Sequence, residues 1–258
     1  MDKQRLATKV HSIQSRRGSQ SWRQSTPRLW SLLLIGLLAL PLSLQAQLPP
    51  QRSELEQKIE ALGLVDIQKI DPTIVVQLMY AGKDNFVGED MYGPDLQHAY
   101  LQPHFAEKLR KAQAHIKARW GEQYSLIIYD AARPLSVQRK MWEKVRGTAQ
   151  RAYVASPNNG GGRHNYGVAV DLSIINTATG EPVDMGSPVD HFGERAHIHK
   201  EADLVKRGLI TPQARANRAF LIKVMKEVGL RPIRKEWWHF EEPTTIQSVR
   251  TGYPLLNF

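Results

Sequence analysis

The chain has 258 residues, with 35 Lys and Arg, 25 Asp and Glu, and no cysteine. A protein without cysteine has neither disulfides nor thiolate metal sites. Its formal net charge of +10 would by itself favour a nucleic-acid-binding or membrane-surface protein. However, residues 1–46 carry seven of the basic residues and one acid, so the rest of the chain is only +4. The charge therefore argues against nucleic acid as a partner.

The first 46 residues combine a basic stretch with the apolar run Leu29–Leu44. This order is typical of an export signal. The run has 16 residues and contains Pro41, whereas a membrane-spanning helix needs about 20 apolar residues. We therefore predict a signal peptide at residues 1–46, cleavage after Ala46 and a periplasmic protein. Because the basic stretch is unusually long, retention of the segment as a membrane anchor stays open as an alternative.

The rest of the chain has patterns for both helices and strands. Apolar residues at helical spacing indicate helices, and runs of β-branched residues indicate strands. In chain order we predict a helix between Ser53 and Gly63, a strand at Ile74–Tyr80, a loop at Asn85–Pro94, a helix at Pro103–Trp120, a strand at Tyr124–Tyr129, a helix at Pro134–Val145, a loop at Ser156–Gly162, a strand at Val168–Ile175, and helices at Glu201–Arg207 and Gln213–Val228.

These elements do not alternate regularly between strand and helix. Such an order favours an α+β domain with a mainly antiparallel central sheet flanked by helices. We assign residues 47–66 to a linker with a short helix. Residues 67–258 are then expected to form one domain.

Two distant segments carry a set of residues that suits a metal. The first has His164 and Asp171, and the second has Glu236 and His239. Two imidazoles and one carboxylate leave a fourth tetrahedral position open for water, as in catalytic zinc sites. The set formed by these two segments can therefore hold a catalytic zinc.

The predicted strands decide whether these side chains can meet. Side chains alternate along a strand, so Asp171 lies on the face opposite Val170 and Leu172. Glu236 precedes His239 by three residues and would lie on the opposite face of a regular strand. To reach the same site, Glu236 has to lie on a turn or a bulge at the strand's start.

Each of these residues, taken alone, also has a simpler interpretation. His164 would be a surface histidine, Asp171 a turn cap, and Arg133 a surface ion-pair partner that contributes under about 1 kcal/mol. Residues 236–241 would be an amphipathic edge strand with solvated charges.

A second histidine-rich stretch comprises His191, His197 and His199. No fourth metal ligand is evident for it. We therefore interpret it as a structural segment or as one that lies around the first site.

The joint pattern resembles the zinc D-Ala-D-Ala dipeptidases of the VanX type, which share a fold with the Hedgehog signalling domain. The metal motifs that carry the resemblance are His164-x-x-Gly167-x-Ala169-x-Asp171 and Glu236-x-x-His239. Further matching segments are Tyr80, Asp84-Asn85-Phe86-Val87-Gly88, Asp130-Ala131-Ala132-Arg133-Pro134, Met185-Gly186-Ser187, Asp190 and Glu194-Arg195. The resemblance extends from about Ile67 to the C-terminus.

The resemblance implies a role for each matching residue. His164, Asp171 and His239 would be the ligands of one Zn²⁺ per chain. Glu236 would be the general base, and Arg133 would stabilise the tetrahedral intermediate. Asp190, with Tyr80, would bind the ammonium group of a dipeptide substrate. The chain departs from the family pattern at two positions, where Gly162 replaces a small polar residue and Val189 replaces a phenylalanine.

We therefore expect a zinc dipeptidase that hydrolyses D-Ala-D-Ala. One alternative is a DD-carboxypeptidase or peptidoglycan endopeptidase that uses the same zinc chemistry. Another is an inactive wall-binding module. A binding module has no use for a base and an oxyanion stabiliser, which favours the enzyme.

Overall fold

The computed structural model describes residues 52–258. The predicted signal and its cleavage site lie outside this range. Within it, no helix is both long and apolar enough to cross a membrane. The helices are α1 (Glu54–Ala61), α2 (Ile67–Ile70), α3 (Pro103–Trp120), α4 (Leu135–Val145), α5 (Glu201–Lys206), α6 (Pro212–Glu227) and α7 (Ile246–Gly252). The strands are β1 (Val65–Asp66), β2 (Val75–Val76), β3 (Tyr100–Leu101), β4 (Tyr124–Asp130), β5 (Ala169–Asn176), β6 (Glu181–Pro182), β7 (Arg231–Ile233) and β8 (Glu236–Glu241).

The helices begin and end where local chemistry allows it. The Ser53 hydroxyl accepts from the Glu56 amide at the start of α1, and the Thr211 hydroxyl accepts from the Ala214 amide at the start of α6. Pro103 opens α3, where its missing N–H costs no hydrogen bond. The predicted bounds of α3 are confirmed, and those of α4, α5 and α6 agree to within one or two residues.

The main sheet has the strand order β2-β4-β5-β8-β7, with β6 paired to β5. Only β2 and β4 pair in parallel among these strands, and the remaining pairs are antiparallel. A separate two-stranded sheet joins β1 to β3. The α+β fold class with a mainly antiparallel sheet is therefore confirmed.

The core lies on one face of β5, as the alternation predicted. Val170, Leu172 and Ile174 are fully buried there, in a cluster that also contains apolar residues of α3 and α6. Asp171 and Ser173 point to the other face. This second face is also buried, with Asp171 only 4% exposed, because loops cover it.

The predicted strand at Ile74–Tyr80 is largely wrong. Only Val75 and Val76 pair with β4, and a 3₁₀ turn follows at Met79–Ala81. The Tyr80 carbonyl accepts from the amides of Met91 and Tyr92, so the following loop folds back on this turn. Three-residue β7 went unpredicted because Pro232 weakens its strand pattern.

Gly167 provides the turn between His164 and β5. Its φ is +67°, and a Cβ there would lie 2.6 Å from Leu64 Cδ2 and 3.3 Å from the Gln102 amide nitrogen. Both the backbone conformation and the close packing therefore require glycine.

We expect Gly167→Ala to lower the free energy of unfolding by about 2 kcal/mol or more, because a left-handed conformation and an overpacked contact both cost energy. Gly180→Ala is the matched control, since the φ of Gly180 is +76° but no atom of residues 52–258 lies within 4 Å of a Cβ placed there. It should lose only about 1 kcal/mol. Urea unfolding measures both, and equal losses would show that the Leu64 contact has no effect.

Candidate active site

The structure brings the three predicted metal ligands together. His164 lies in the turn before β5, Asp171 on β5 and His239 on β8, where it is the direct cross-strand partner of Asp171. His239 Nδ1 lies 3.0 Å from Asp171 Oδ1 and 3.2 Å from His164 Nε2. One possible ligand atom from each of the three lies within 4.8 Å of the other two. All three residues are buried, which contradicts the simpler interpretation of a surface histidine and a turn cap.

Each imidazole has a hydrogen-bond partner on the side away from this centre. His164 Nδ1 donates to the Ala131 carbonyl at 2.8 Å, which leaves Nε2 facing Asp171. His239 Nε2 lies 3.2 Å from Glu241 Oε2, which leaves Nδ1 facing the other two side chains. Such outer partners are usual for metal-binding histidines. The donor set of two imidazole nitrogens and one carboxylate oxygen thus fits a zinc ion with an open fourth position.

The same geometry sets the protonation of the ligand side chains. Burial lowers the pKa of His239, but hydrogen bonds to Asp171 and Glu241 raise it to about 10. Burial raises the pKa of Asp171, but the charges and hydrogen bonds of His164 and His239 lower it well below its usual value. The carboxylates of Asp171 and Glu241, one on each side of the His239 imidazole, favour a positive charge on this ring. A bound cation would replace the His239 Nδ1 proton.

Glu236 lies beside the ligand set at the start of β8. Residues 234 and 235 form a turn, and the β7–β8 register shifts between Pro232 and Ile233. The Glu236 carboxylate therefore points to the same face as His239, with Oε2 3.9 Å from His239 Nδ1. This confirms the expected turn or bulge. Burial, with the charges of Asp171 and Asp190, raises the pKa of Glu236 to about 8.

Residues 236–241 are not an edge strand. β8 lies between β5 and β7 in the sheet. Trp237, Trp238 and Phe240 are almost fully buried, and Glu241 is 6% exposed. The interpretation of this segment as an amphipathic edge with solvated charges is therefore wrong, since the strand is covered on both faces.

Arg133 is buried rather than a surface ion-pair partner, being 8% exposed. Its Nε donates to Asp130 at 2.8 Å, its Nη2 donates to the same carboxylate, and its Nη1 donates to Gln138 Oε1 at 2.8 Å. Tyr92 donates to the second Asp130 oxygen at 2.5 Å. These bonds hold the guanidinium with Nη2 3.8 Å from Asp171 Oδ2. They use three of its five N–H groups.

Asp190 and Tyr80 form a pair in the same cavity. The Tyr80 hydroxyl donates to Asp190 Oδ2, and the Arg133 guanidinium lies 5.4 Å from the Tyr80 ring centroid. Burial and the nearby charge of Asp171 raise the pKa of Asp190 to about 7. Its φ of +59° is unusual for a residue with a side chain. The fold therefore holds this carboxylate at the cavity in a strained backbone conformation.

The cavity that contains all seven predicted site residues has a volume of about 180 Å³. Its aromatic wall is formed by Phe86, Phe192 and Tyr153, with ring centroids 4.8 Å apart for the first pair and 5.0 Å for the second. A neighbouring cavity of about 640 Å³ shares Phe86 and Asp190 with it. The site is therefore a small chamber next to a larger one.

Sequence reasoning missed three residues that support the site. Asp130 binds Arg133, and Glu241 contacts His239. Asn165 is fully buried, and its side chain donates to the Arg133 carbonyl and accepts from the Gly162 amide. Asp130 and Asn165 lie inside the matching motifs, which was the available signal. For Glu241 the available signal was strand alternation, since it follows His239 by two residues and so shares its face; the contact with Nε2 is visible only in the structure.

The second histidine stretch lies at the edge of the cavity wall. His197 Nε2 lies 2.8 Å from the Tyr153 hydroxyl, and the His197 and His199 rings stack at 5.3 Å. His199 Nδ1 donates to the Arg234 carbonyl. Within residues 52–258, the potential metal-binding cluster is His164, Asp171 and His239.

Of the two departures from the family pattern, Gly162 has a clear local reason. A Cβ at Gly162 would lie 2.8 Å from Ala155 Cβ. Both residues line the small cavity, so Ala155 fills the space that a side chain at 162 would need. Val189 lines the larger cavity instead.

An α+β fold that brings a His-Asp-His set, a buried glutamate and a buried arginine to one cavity defines a hydrolase of the metallopeptidase class. A family model described as D-Ala-D-Ala dipeptidase matches residues 60–254. The chain belongs to this peptidase family.

Several relatives carry the name D-alanyl-D-alanine dipeptidase. The protein from Escherichia coli (strain K12) is 31% identical over 193 residues, which cover 75% of this chain and 89% of that protein. The one from Enterococcus faecalis (strain ATCC 700802 / V583) is 32% identical over 180 residues, or 63% and 82% of the two chains. The one from Enterococcus faecium is 29% identical over 197 residues, or 69% and 91%.

We expect the protein to bind one zinc per chain and to gain about 3 kcal/mol of stability at a free zinc concentration 100 times the dissociation constant. Asp171→Ala and His239→Ala should lose this gain, because each removes a ligand. His199→Ala should keep it, since His199 lies outside the cluster. Thermal unfolding with and without zinc measures the effect. A gain that persists in both ligand variants would refute the assigned site.

Proposed function

We propose that the protein is a zinc-dependent dipeptidase that hydrolyses D-Ala-D-Ala. The observation that carries the proposal is that the His164-Asp171-His239 set, Glu236, Arg133 and the Tyr80–Asp190 pair all line one cavity of about 180 Å³. When bound, zinc supplies a Lewis acid for the scissile carbonyl and lowers the pKa of water to about 7.

Glu236 is the residue suited to proton transfer. Its carboxylate borders the ligand set without a direct hydrogen bond to it, with 3.9 Å to His239 Nδ1. Its raised pKa suits a group that accepts a proton from water and donates it to a leaving amine. Glu236 thus acts first as the base and then as the acid.

Arg133 is suited to stabilise negative charge on the former carbonyl oxygen. Its bonds to Asp130 and Gln138 fix the guanidinium before substrate binds, so no reorganisation is needed as charge develops. The two N–H groups left over can donate to an oxyanion.

Asp190 and the size of the cavity support a dipeptide substrate. A carboxylate beside the reacting centre pairs with a free amino terminus. Sites for drug-sized ligands usually have volumes of about 300–1,000 Å³, and this one is smaller. A substrate of two small residues therefore fits better than a long peptidoglycan stem.

A DD-carboxypeptidase is the second candidate, and one observation favours it. The cavity of about 640 Å³ beyond Phe86 and Asp190 offers room for residues that precede the scissile pair. The inactive wall-binding module has less support, because Glu236 and Arg133 are both present at the site.

We also infer that the protein is exported to the periplasm. Residues 1–46 have a basic stretch followed by an apolar run, the order that is typical of an export signal.

We expect Glu236→Gln to retain zinc and to hydrolyse D-Ala-D-Ala about 10²- to 10⁴-fold more slowly, the range for loss of a general acid-base group. Steady-state kinetics and zinc analysis measure the two properties. Glu181→Gln, at an exposed position on β6, should match the wild type. Near-normal turnover in Glu236→Gln would remove the glutamate from this role.

We expect Asp190→Asn to lower kcat/KM for D-Ala-D-Ala by about 10- to 150-fold, since a hydrogen bond to a charged group contributes about 1.5–3 kcal/mol. Asparagine tolerates the positive φ of this position, so the backbone is preserved. The comparison is with N-acetyl-D-Ala-D-Ala, which has no ammonium group. If the variant still prefers the free dipeptide as strongly as the wild type does, Asp190 does not bind the amino terminus.

Efficient cleavage of a pentapeptide stem by the wild type would favour the carboxypeptidase instead.

A further inference from the structure

Glu241 contacts the ligand set from its outer side. Its Oε2 lies 3.2 Å from His239 Nε2, the ring nitrogen that faces away from Asp171 and His164. A carboxylate only accepts a hydrogen bond, so Nε2 carries the proton and donates it to Glu241. The lone pair of a neutral His239 ring is then on Nδ1, which faces Asp171 and His164.

Two arginines hold the other oxygen of Glu241. Arg231 donates to Oε1 through Nε at 2.9 Å and Nη2 at 2.7 Å, and Arg163 Nε lies 3.5 Å from the same oxygen. Arg163 also donates to the Thr244 carbonyl. Both carboxylate oxygens therefore have partners, and the side chain cannot rotate without breaking an ion pair.

The backbone around Glu241 is equally constrained. On β8 it pairs with Ala169 of β5 on one side and with Arg231 of β7 on the other. It is two residues from His239 and so points to the same face of the sheet. A ligand-orienting group on a strand paired on both sides is held more precisely than one on a loop.

We propose that Glu241 is a positioning residue that fixes the tautomer and ring orientation of His239 for metal binding. The inference rests on the proposed zinc-dependent function. His164 obtains its orientation from a backbone carbonyl, that of Ala131. His239 obtains it from a side chain, so substitution can remove the constraint. A hydrogen-bonded carboxylate also increases the basicity of the ligand nitrogen.

The test compares zinc dissociation constants, measured by competition with a chelator of known affinity, for the wild type, Glu241→Ala and Glu241→Gln. Loss of an outer partner of a ligand typically weakens metal binding about 10- to 100-fold. We expect a weakening of this size in Glu241→Ala. Glu241→Gln should lie between it and the wild type, because the amide oxygen still accepts from His239 Nε2.

Glu242→Ala is the matched control. Glu242 is the next residue and is similarly buried, but it binds Lys108 at 2.8 Å and His104 at 3.0 Å, away from His239. It should bind zinc within about twofold of the wild type, even if urea unfolding shows a loss of stability like that of Glu241→Ala. An equal loss of zinc affinity in both alanine variants would overturn the inference, because the effect would then be general destabilisation.

Failure of this inference is distinguishable from failure of the proposed function. A wild type that binds zinc and hydrolyses D-Ala-D-Ala, with zinc affinity unchanged in Glu241→Ala, overturns the positioning role alone. A wild type that binds no zinc overturns the proposed function, and the positioning role with it.

Discussion

The site depends on one structural constraint, the antiparallel register that places Asp171 of β5 directly opposite His239 of β8. Residues opposite each other across two strands have their side chains on the same face, about 5 Å apart at Cβ. A slip of one residue would turn His239 into the apolar core and Phe240 into the cavity. The buried residues Val170, Leu172, Trp238 and Phe240 prevent such a slip, so burial of hydrophobic surface sets the geometry of the polar site.

The second constraint is the burial of many charges near one another. An unpaired buried charge is costly, and removal of one partner of a buried pair typically costs about 3–5 kcal/mol. Here Asp130 pairs with Arg133, Glu241 with Arg231, and Asp171 with the two histidines. Within residues 52–258, Glu236 and Asp190 have no basic residue in a direct ion pair of comparable length, and burial raises the pKa of each. In the proposed function, Glu236 transfers the proton and Asp190 binds the substrate ammonium.

The local elements were predictable to very different degrees. α3 was correct at both ends because an apolar stripe and an initial proline are local signals. Ile74–Tyr80 has a strand composition, yet only Val75 and Val76 form a strand. Tyr80 lies in a 3₁₀ turn instead, where its hydroxyl donates to Asp190 and its carbonyl accepts from the following loop. α7 and β7 were missed, since short elements are stabilised mainly by what they pack against.

The amino-acid sequence alone determined the side-chain types available to a metal, the export-like order of the amino terminus and the α+β class, because these depend on composition and on short periodic patterns. It also indicated the residues that carry the family resemblance. Tertiary structure alone decided that Arg133 is buried against Asp130, that Glu241 contacts the outer nitrogen of His239, and that the cavity is small. Such facts depend on distances between residues far apart along the chain, which are set when β5 and β8 pair and the loops close over them.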